Sequence, residues 1–218
     1  MKAFLKSLRN HKDKTSGICH HLAERTKVPV HQICPLVGKV LAEHWPLYSG
    51  NLKYPIPHPT LPPTTAFTDT MWRSNNYWDR RTAYGKNRYS ALECLIEHSN
   101  ELEEYLLLHK LWVDLSALKE SPPLPDSDGG ICIIIDGDDA YPEDWVSDKV
   151  NNILSRHWPL HSGDVVFPIP CPNYPDDAYA AYMHSEGHWD ATTEYGRNRF
   201  SALDCLIEQL EGWINAGT

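Results

Sequence analysis

The sequence contains no CxxC pair, no HExxH, and no HxxxH joined to a third ligand. Those spacings let a short stretch of chain present several ligands to one zinc ion. The reading therefore expects no metal and no cofactor. GxSxG, a glycine-rich phosphate loop and a kinase signature are missing as well. Their absence removes the recognisable routes to nucleophilic catalysis and phosphoryl transfer. No run of about 18 apolar residues occurs, the length a helix needs to cross a bilayer. The segment MKAFLKSLRNHKDK lacks the apolar centre of a secretory leader. No membrane partner is expected.

Basic residues are also scarce, with 20 Lys and Arg against 29 Asp and Glu, for a net charge of -9. Broad phosphate-backbone binding needs clustered cations, so direct nucleic-acid binding is not expected. The charge is unevenly placed. Residues 114–148 hold ten acids and one base, Lys119, and so match the whole net charge. This stretch is either a nucleic-acid mimic or a solvated connector. Within it, DGDDAYPED lacks the Gly at position six and the Glu at position twelve of a calcium loop. At the other end, Lys2, Lys6, Arg9, Lys12 and Lys14 stand against Asp13 alone. Residues 1–16 are read as a solvated basic arm.

What the chain does have is aromatic mass, with eight Trp and eleven Tyr in 218 residues. Large rings give a small module enough buried area to fold, and they also suit binding surfaces. The six cysteines are scattered. They read as reduced, mostly buried thiols.

The strongest signal is internal. Residues 17–62 align without a gap on 130–175, so that HWPLYSGNLKYPIP faces HWPLHSGDVVFPIP. After a two-residue deletion, WDRRTAYGKNRYSALECLIE faces WDATTEYGRNRFSALDCLIE. Self-similarity of this kind marks a duplicated structural unit. Between the copies lies SPPLPDSDGG, whose composition cannot build a core. The organisation is read as a basic arm (1–16), a first module (17–120), a linker (121–129) and a second module (130–218).

Within each module, helical spacing runs through Ile33, Leu36, Val37, Val40 and Leu41, and through Trp145, Val146, Val150, Ile153 and Leu154. Both helices should stop at His-Trp-Pro, and the second should start with Pro142 at its first helical position. Extended pieces ending in Pro-Ile-Pro follow, and then a second helix over 65–78 and 177–189. Tyr-Gly should break the chain before a third helix. That helix starts near Asn87 or Asn198, with stripes at Tyr89, Leu92, Leu95 and Ile96 and at Phe200, Leu203, Leu206 and Ile207. Its first copy should extend to about Leu111. ICIIID, from Ile131, reads as a buried strand, although its counterpart in the first copy reads as helix. The fold expected is mainly α with short extended segments, α+β being the alternative. Two modules would pack with pseudo-twofold symmetry.

The polar residues shared by the copies are the site candidates. Asp79, Asn87 and Arg88 recur as Asp190, Asn198 and Arg199. One reading is an internal Arg–Asp clamp with Asn87 capping the helix. The other is an anion pocket built from Arg88, Asn87 and the helix N-terminus. His44-Trp45 and His157-Trp158 end helices. Each His can cap a carbonyl, and each Trp is either a core anchor or a platform for a ring.

The series Trp45-Pro46, Ser49-Gly50, Tyr54-Pro55-Ile56-Pro57, Trp78, Tyr84-Gly85 and Arg88, with its second-copy equivalents, resembles a family of small tailed-bacteriophage accessory proteins. The resemblance covers most of both modules. This chain departs from the family pattern in carrying two of them and an acidic connector. The resemblance implies host cytoplasm and a non-structural role, often the disabling of a host or defence factor. The function expected is therefore a phage-encoded, non-enzymatic binding protein that inhibits a host or bacterial immune protein. The alternatives are a sponge for a nucleotide-type immune signal, held through its phosphates, and an enzyme degrading that signal with His44 or His157 as acid/base.

Overall fold

The structure, a computed structural model, describes residues 1–11, 16–45, 78–125, 127, 129–137, 141–158 and 189–215. The described residues are mainly helical, with eight helices and no strand. The expected Pro-Ile-Pro segments lie outside the described residues, as do the helices expected over 65–78 and 177–189 except for their last residues, Trp78 and Trp189, which are not helical. The chain divides into two compact units between Leu106 and Leu107.

Unit 1 contains α1 (Lys2–Leu8), α2 (Ile18–Thr26), α3 (Val30–His44) and α4 (Ala83–Glu97). The arm expected to be solvated carries a helix. Leu5 and Leu8, three apart on α1, are buried in the core, which places them on one face. Arg9, just beyond, donates from Nε to Glu93 Oε1 on α4 at 2.7 Å. All five apolar residues expected along α3 are buried, and the helix ends at His44, immediately before Trp45-Pro46. Its start lies further upstream than the apolar spacing marks, with Pro29 at the N-cap, and Pro35 is accommodated inside it.

The next helix, α5 (Ser99–Glu120), contains the division between the units. Leu102 and Leu106 belong to the core of unit 1, while Leu111, Leu115 and Leu118 belong to that of unit 2. The helical spacing that carries on past Glu97 is therefore real, but it is not one helix. His98 leaves helical geometry (φ -95°, ψ 29°) and separates α4 from α5.

Unit 2 adds α6 (Ile131–Asp136), α7 (Trp145–His157) and α8 (Glu194–Asn215). The strand expected for ICIIID is a helix, and the reason is visible in which side chains are covered. Ile131, Cys132 and Ile135 are buried, while Ile133 is 49% exposed. A strand would put 131, 133 and 135 on one face, whereas a helix turns 133 away. Pro142 is also displaced. The helix starts at Trp145, and Asp144 ahead of it adopts left-handed geometry (φ 57°). The cores contain the expected α4 and α8 residues Leu92, Leu95, Ile96, Leu203 and Leu206. Tyr89, Phe200 and Ile207 pack on them, half-buried. None of the five described cysteines is in a disulfide, and all five are buried; Cys171 lies outside the described residues.

The starts of α4 and α8 correct the cap expected at Asn87. The helix begins at Ala83, so Asn87 is already inside it, and its side chain is not among those described. The cap is Thr82, which donates from its hydroxyl to the Asp79 carbonyl (2.9 Å) and accepts from the Gly85 N–H (3.0 Å). Thr193 makes the same pair of bonds with Asp190 and Gly196, at 2.9 and 3.0 Å. A side-chain oxygen satisfying a first-turn N–H is what an N-cap does. Tyr-Gly therefore does not break the chain: Gly85 and Gly196 sit in the first helical turn. They are glycine because the Asp79 and Asp190 carbonyls occupy the place of a Cβ, which would stand 1.9 and 1.7 Å away.

Candidate functional site

Arg88 and Arg199 are fully buried. Their guanidinium carbons stand 5.2 Å over the Trp78 ring and 5.0 Å over the Trp189 ring, within cation–π range. The expected clamp between Arg88 and Asp79 does not form. Asp79 receives Arg81 instead, through Nε at 2.9 Å and NH2 at 2.8 Å, together with the Arg81 backbone N–H at 2.9 Å. These bonds hold the Asp79 carboxyl down at about 2. In unit 2, Asp190 accepts from the Thr192 backbone and hydroxyl at 2.8 and 2.7 Å, which lowers its pKa. A carboxylate two residues from a donor is satisfied locally, ahead of any longer-range arginine. Arg199 donates to the Gly129 carbonyl at 3.4 Å, the carbonyl that also accepts Trp189 Nε1 at 2.9 Å. Burial lowers the pKa of Arg199 to about 10. Trp78 Nε1 likewise donates to the Ser16 carbonyl at 2.6 Å. Asn198 is buried beside Arg199. Such a set fixes each helix to an earlier segment of its own unit. The anion pocket expected at Arg88 loses two parts, since its cation is covered and the helix N-terminus lies at Ala83.

Trp45 and Trp158 are core residues, 1% and 0% exposed. Their ring nitrogens donate to Ser90 Oγ and Ser201 Oγ at 3.3 and 3.4 Å. Of the two readings, core anchor and ring platform, the core anchor holds, because neither ring has an open face. What they position is the residue before them.

In unit 1 that residue, His44, meets His98 and Glu101. Its Nε2 lies 2.8 Å from Glu101 Oε2, and its ring stacks on His98 at 3.7 Å with an interplanar angle of 4°. His98 Nδ1 is 3.9 Å from the same carboxylate oxygen. The other Glu101 oxygen accepts the Tyr105 hydroxyl at 2.7 Å. Burial and the negative Glu101 raise the Tyr105 phenol to about 12, and burial raises the nearby Cys94 thiol to about 12. All three principal side chains are half-buried. The break between α4 and α5 falls at His98, at the centre of this cluster.

In unit 2 the matching sequence positions read differently. His157 matches His44, while His98 and Glu101 are matched by Gln209 and Gly212. Here α8 runs unbroken through both positions. Instead of a side-chain cluster there is a cavity of about 560 Å³ between α7 and α8. Lys149, Arg156 and His157 line it from α7, and Gln209 and Trp213 from α8, with no carboxylate among the lining residues. On a chain of net charge -9, such a lining attracts anions. Leu108, Ile153 and Leu210 supply its apolar wall.

No protein-family model matches the chain, and comparisons with curated proteins and with solved structures find no match. Among the described residues no helix is long and apolar enough to cross a membrane.

His44 and His157 were thus the sequence candidates closest to the cluster and the cavity. His98, Glu101, Arg156, Gln209 and Trp213 were missed. The aligned segments differ at 98 and 101, so residues shared by both do not include them. The available signal was His98-x-x-Glu101 at helical i,i+3 spacing.

Proposed function

We propose that the chain is a non-enzymatic binding protein made of two copies of one module, and that unit 2 holds a small anionic molecule carrying a ring. The cavity between α7 and α8 carries the proposal. It combines Lys149 and Arg156 with the hydrogen-bonding Asn152 and Gln209 and the aromatic Trp213. Cations and amides match phosphate or carboxylate oxygens, and an indole matches a base or other ring. Pockets that bind small molecules combine apolar walls with a few placed polar groups in this way. The motif resemblance to phage accessory modules supplies the setting: a sponge that withdraws a nucleotide-type signal in a host cell.

The test is a titration of the full chain with adenosine monophosphate and, separately, with inorganic phosphate, read by tryptophan fluorescence and calorimetry. Saturable binding of the nucleotide, lost in Arg156→Glu, is expected. The nucleotide recovered after denaturation should be intact; a converted nucleotide would make the protein an enzyme. Binding that Arg156→Glu leaves unchanged, or none at all, removes the cavity as the site.

A second reading is a phage-encoded inhibitor that covers a host or bacterial immune protein. One observation favours it: Glu143, Asp144 and Asp148, at the start of α7, are exposed. An acidic surface of this kind suits a partner that otherwise binds nucleic acid. Capture of such a partner from host lysate, lost when these acids become amides, is the outcome that distinguishes it.

A further inference from the structure

We propose that His44, His98 and Glu101 in unit 1 form a binding site for one transition-metal ion of the zinc class. Two imidazoles and a carboxylate are a donor set that zinc and its first-row neighbours accept. One donor atom from each residue lies within 4.8 Å of the other two. Both ring nitrogens sit on the Glu101 side of the stacked pair, 2.8 and 3.9 Å from one carboxylate oxygen. Zinc bonds of about 2.0–2.1 Å in a tetrahedron put neighbouring ligands about 3.3–3.4 Å apart. The two measured separations lie on either side of that value; because each imidazole lone pair lies in its ring plane and the rings are parallel at 3.7 Å, both rings must also tilt towards each other to reach one ion.

The His44–Glu101 contact is a good hydrogen bond, and His98 Nδ1 faces the same oxygen at 3.9 Å, so two imidazole nitrogens converge on one carboxylate oxygen. The surroundings fit as well. Tyr105 holds the second Glu101 oxygen at 2.7 Å, the kind of outer contact that orients a ligating carboxylate. Glu43 Oε2, on an exposed side chain, lies 3.9 Å from His44 Nε2, and solvent can supply the remaining ligand. At the aligned positions unit 2 keeps only His157 of the three, so this set provides one ion site, in unit 1. The site is separate from the cavity of unit 2, and either can fail without the other.

The full chain, stripped with a chelator, is titrated with Zn²⁺ by calorimetry and with Co²⁺ by visible absorption. One equivalent is expected, with Co²⁺ giving the ligand-field bands of a nitrogen- and oxygen-ligated ion. His98→Ala and Glu101→Gln should each weaken Zn²⁺ binding by about 100-fold or more, and Tyr105→Phe by about 10-fold. His157→Ala should leave it unchanged. Absence of Zn²⁺ uptake overturns the proposal. So does uptake that neither His98→Ala nor Glu101→Gln alters, which would place the ion on other histidines or cysteines. If His98→Ala loses helix content by circular dichroism, the near-isosteric Glu101→Gln decides.

Discussion

Gly196 lies so close to Asp190 that a Cβ on the glycine would stand 1.7 Å from the aspartate's carbonyl oxygen, and Gly85 faces Asp79 in the same way at 1.9 Å. No side chain fits at either distance. Gly85→Ala and Gly196→Ala should each cost about 3 kcal/mol or more, at the upper end of overpacking. Thr82→Ala and Thr193→Ala, which remove only the cap, should cost about 1 kcal/mol. Thermal and urea melts of the four variants check the ranking. Glycine variants no worse than the threonine ones would show that the turn relaxes freely.

Ile133 and Ile135 test the helical assignment of ICIIID. Ile133 is 49% exposed and Ile135 is 8% exposed. Ile133→Lys should stay within about 0.5 kcal/mol of the parent. Ile135→Lys buries a charge and should destabilise by more than about 2 kcal/mol. Equal penalties would restore the strand, in which both residues share a face.

The carboxyl of Asp79 titrates at about 2 rather than 3.8, chiefly because Arg81 donates side-chain and backbone hydrogen bonds to it. The folded value lies below the unfolded one. Its contribution is therefore complete above about pH 4 and disappears as the pH falls through about 2. Melting temperatures of the parent and of Asp79→Asn should differ at neutral pH and converge in acid. A difference that persists undiminished to about pH 2 would assign the effect to geometry and not to charge.

Arg88 is buried against Trp78, so Arg88→Ala should act through folding. A loss of about 3 kcal/mol is expected from the packing of its stem and the lost ring contact. Nucleotide binding per folded molecule should be unchanged, because the cavity of unit 2 does not include it. Lost binding in a protein with native helix content would return Arg88 to the site.

The apolar layer was legible from the sequence. Helical spacing placed Leu36, Val37, Val40 and Leu41 on a buried face, and the Trp-Pro step ended α3 and α7 where expected. Local polar competition was not legible. Asp79 had Arg80, Arg81 and Arg88 within reach in the sequence, and Arg81 takes it through a turn that burial patterns do not reveal. Thr82 caps the helix five residues before the asparagine chosen for that role, because Gly85 tolerates a close carbonyl and lets the helix start early. Six apolar residues in a row suit a strand or a buried helix equally, and only the exposure of Ile133 decides between them. The His44 cluster joins residues 57 apart in sequence. Spacing rules built on ligands a few residues apart do not reach it.

Helix α5 gives its first two turns to one core and the remainder to the other. The Pro-rich stretch that follows it looks like a convenient place to cut the chain, but a protease acting there would leave Leu111, Leu115 and Leu118 on the upstream fragment, stripped of their partners. That piece should aggregate, and the downstream piece should lose a wall of its interior. Attempts to express the halves separately should meet the same obstacle, whichever end of α5 is chosen as the border.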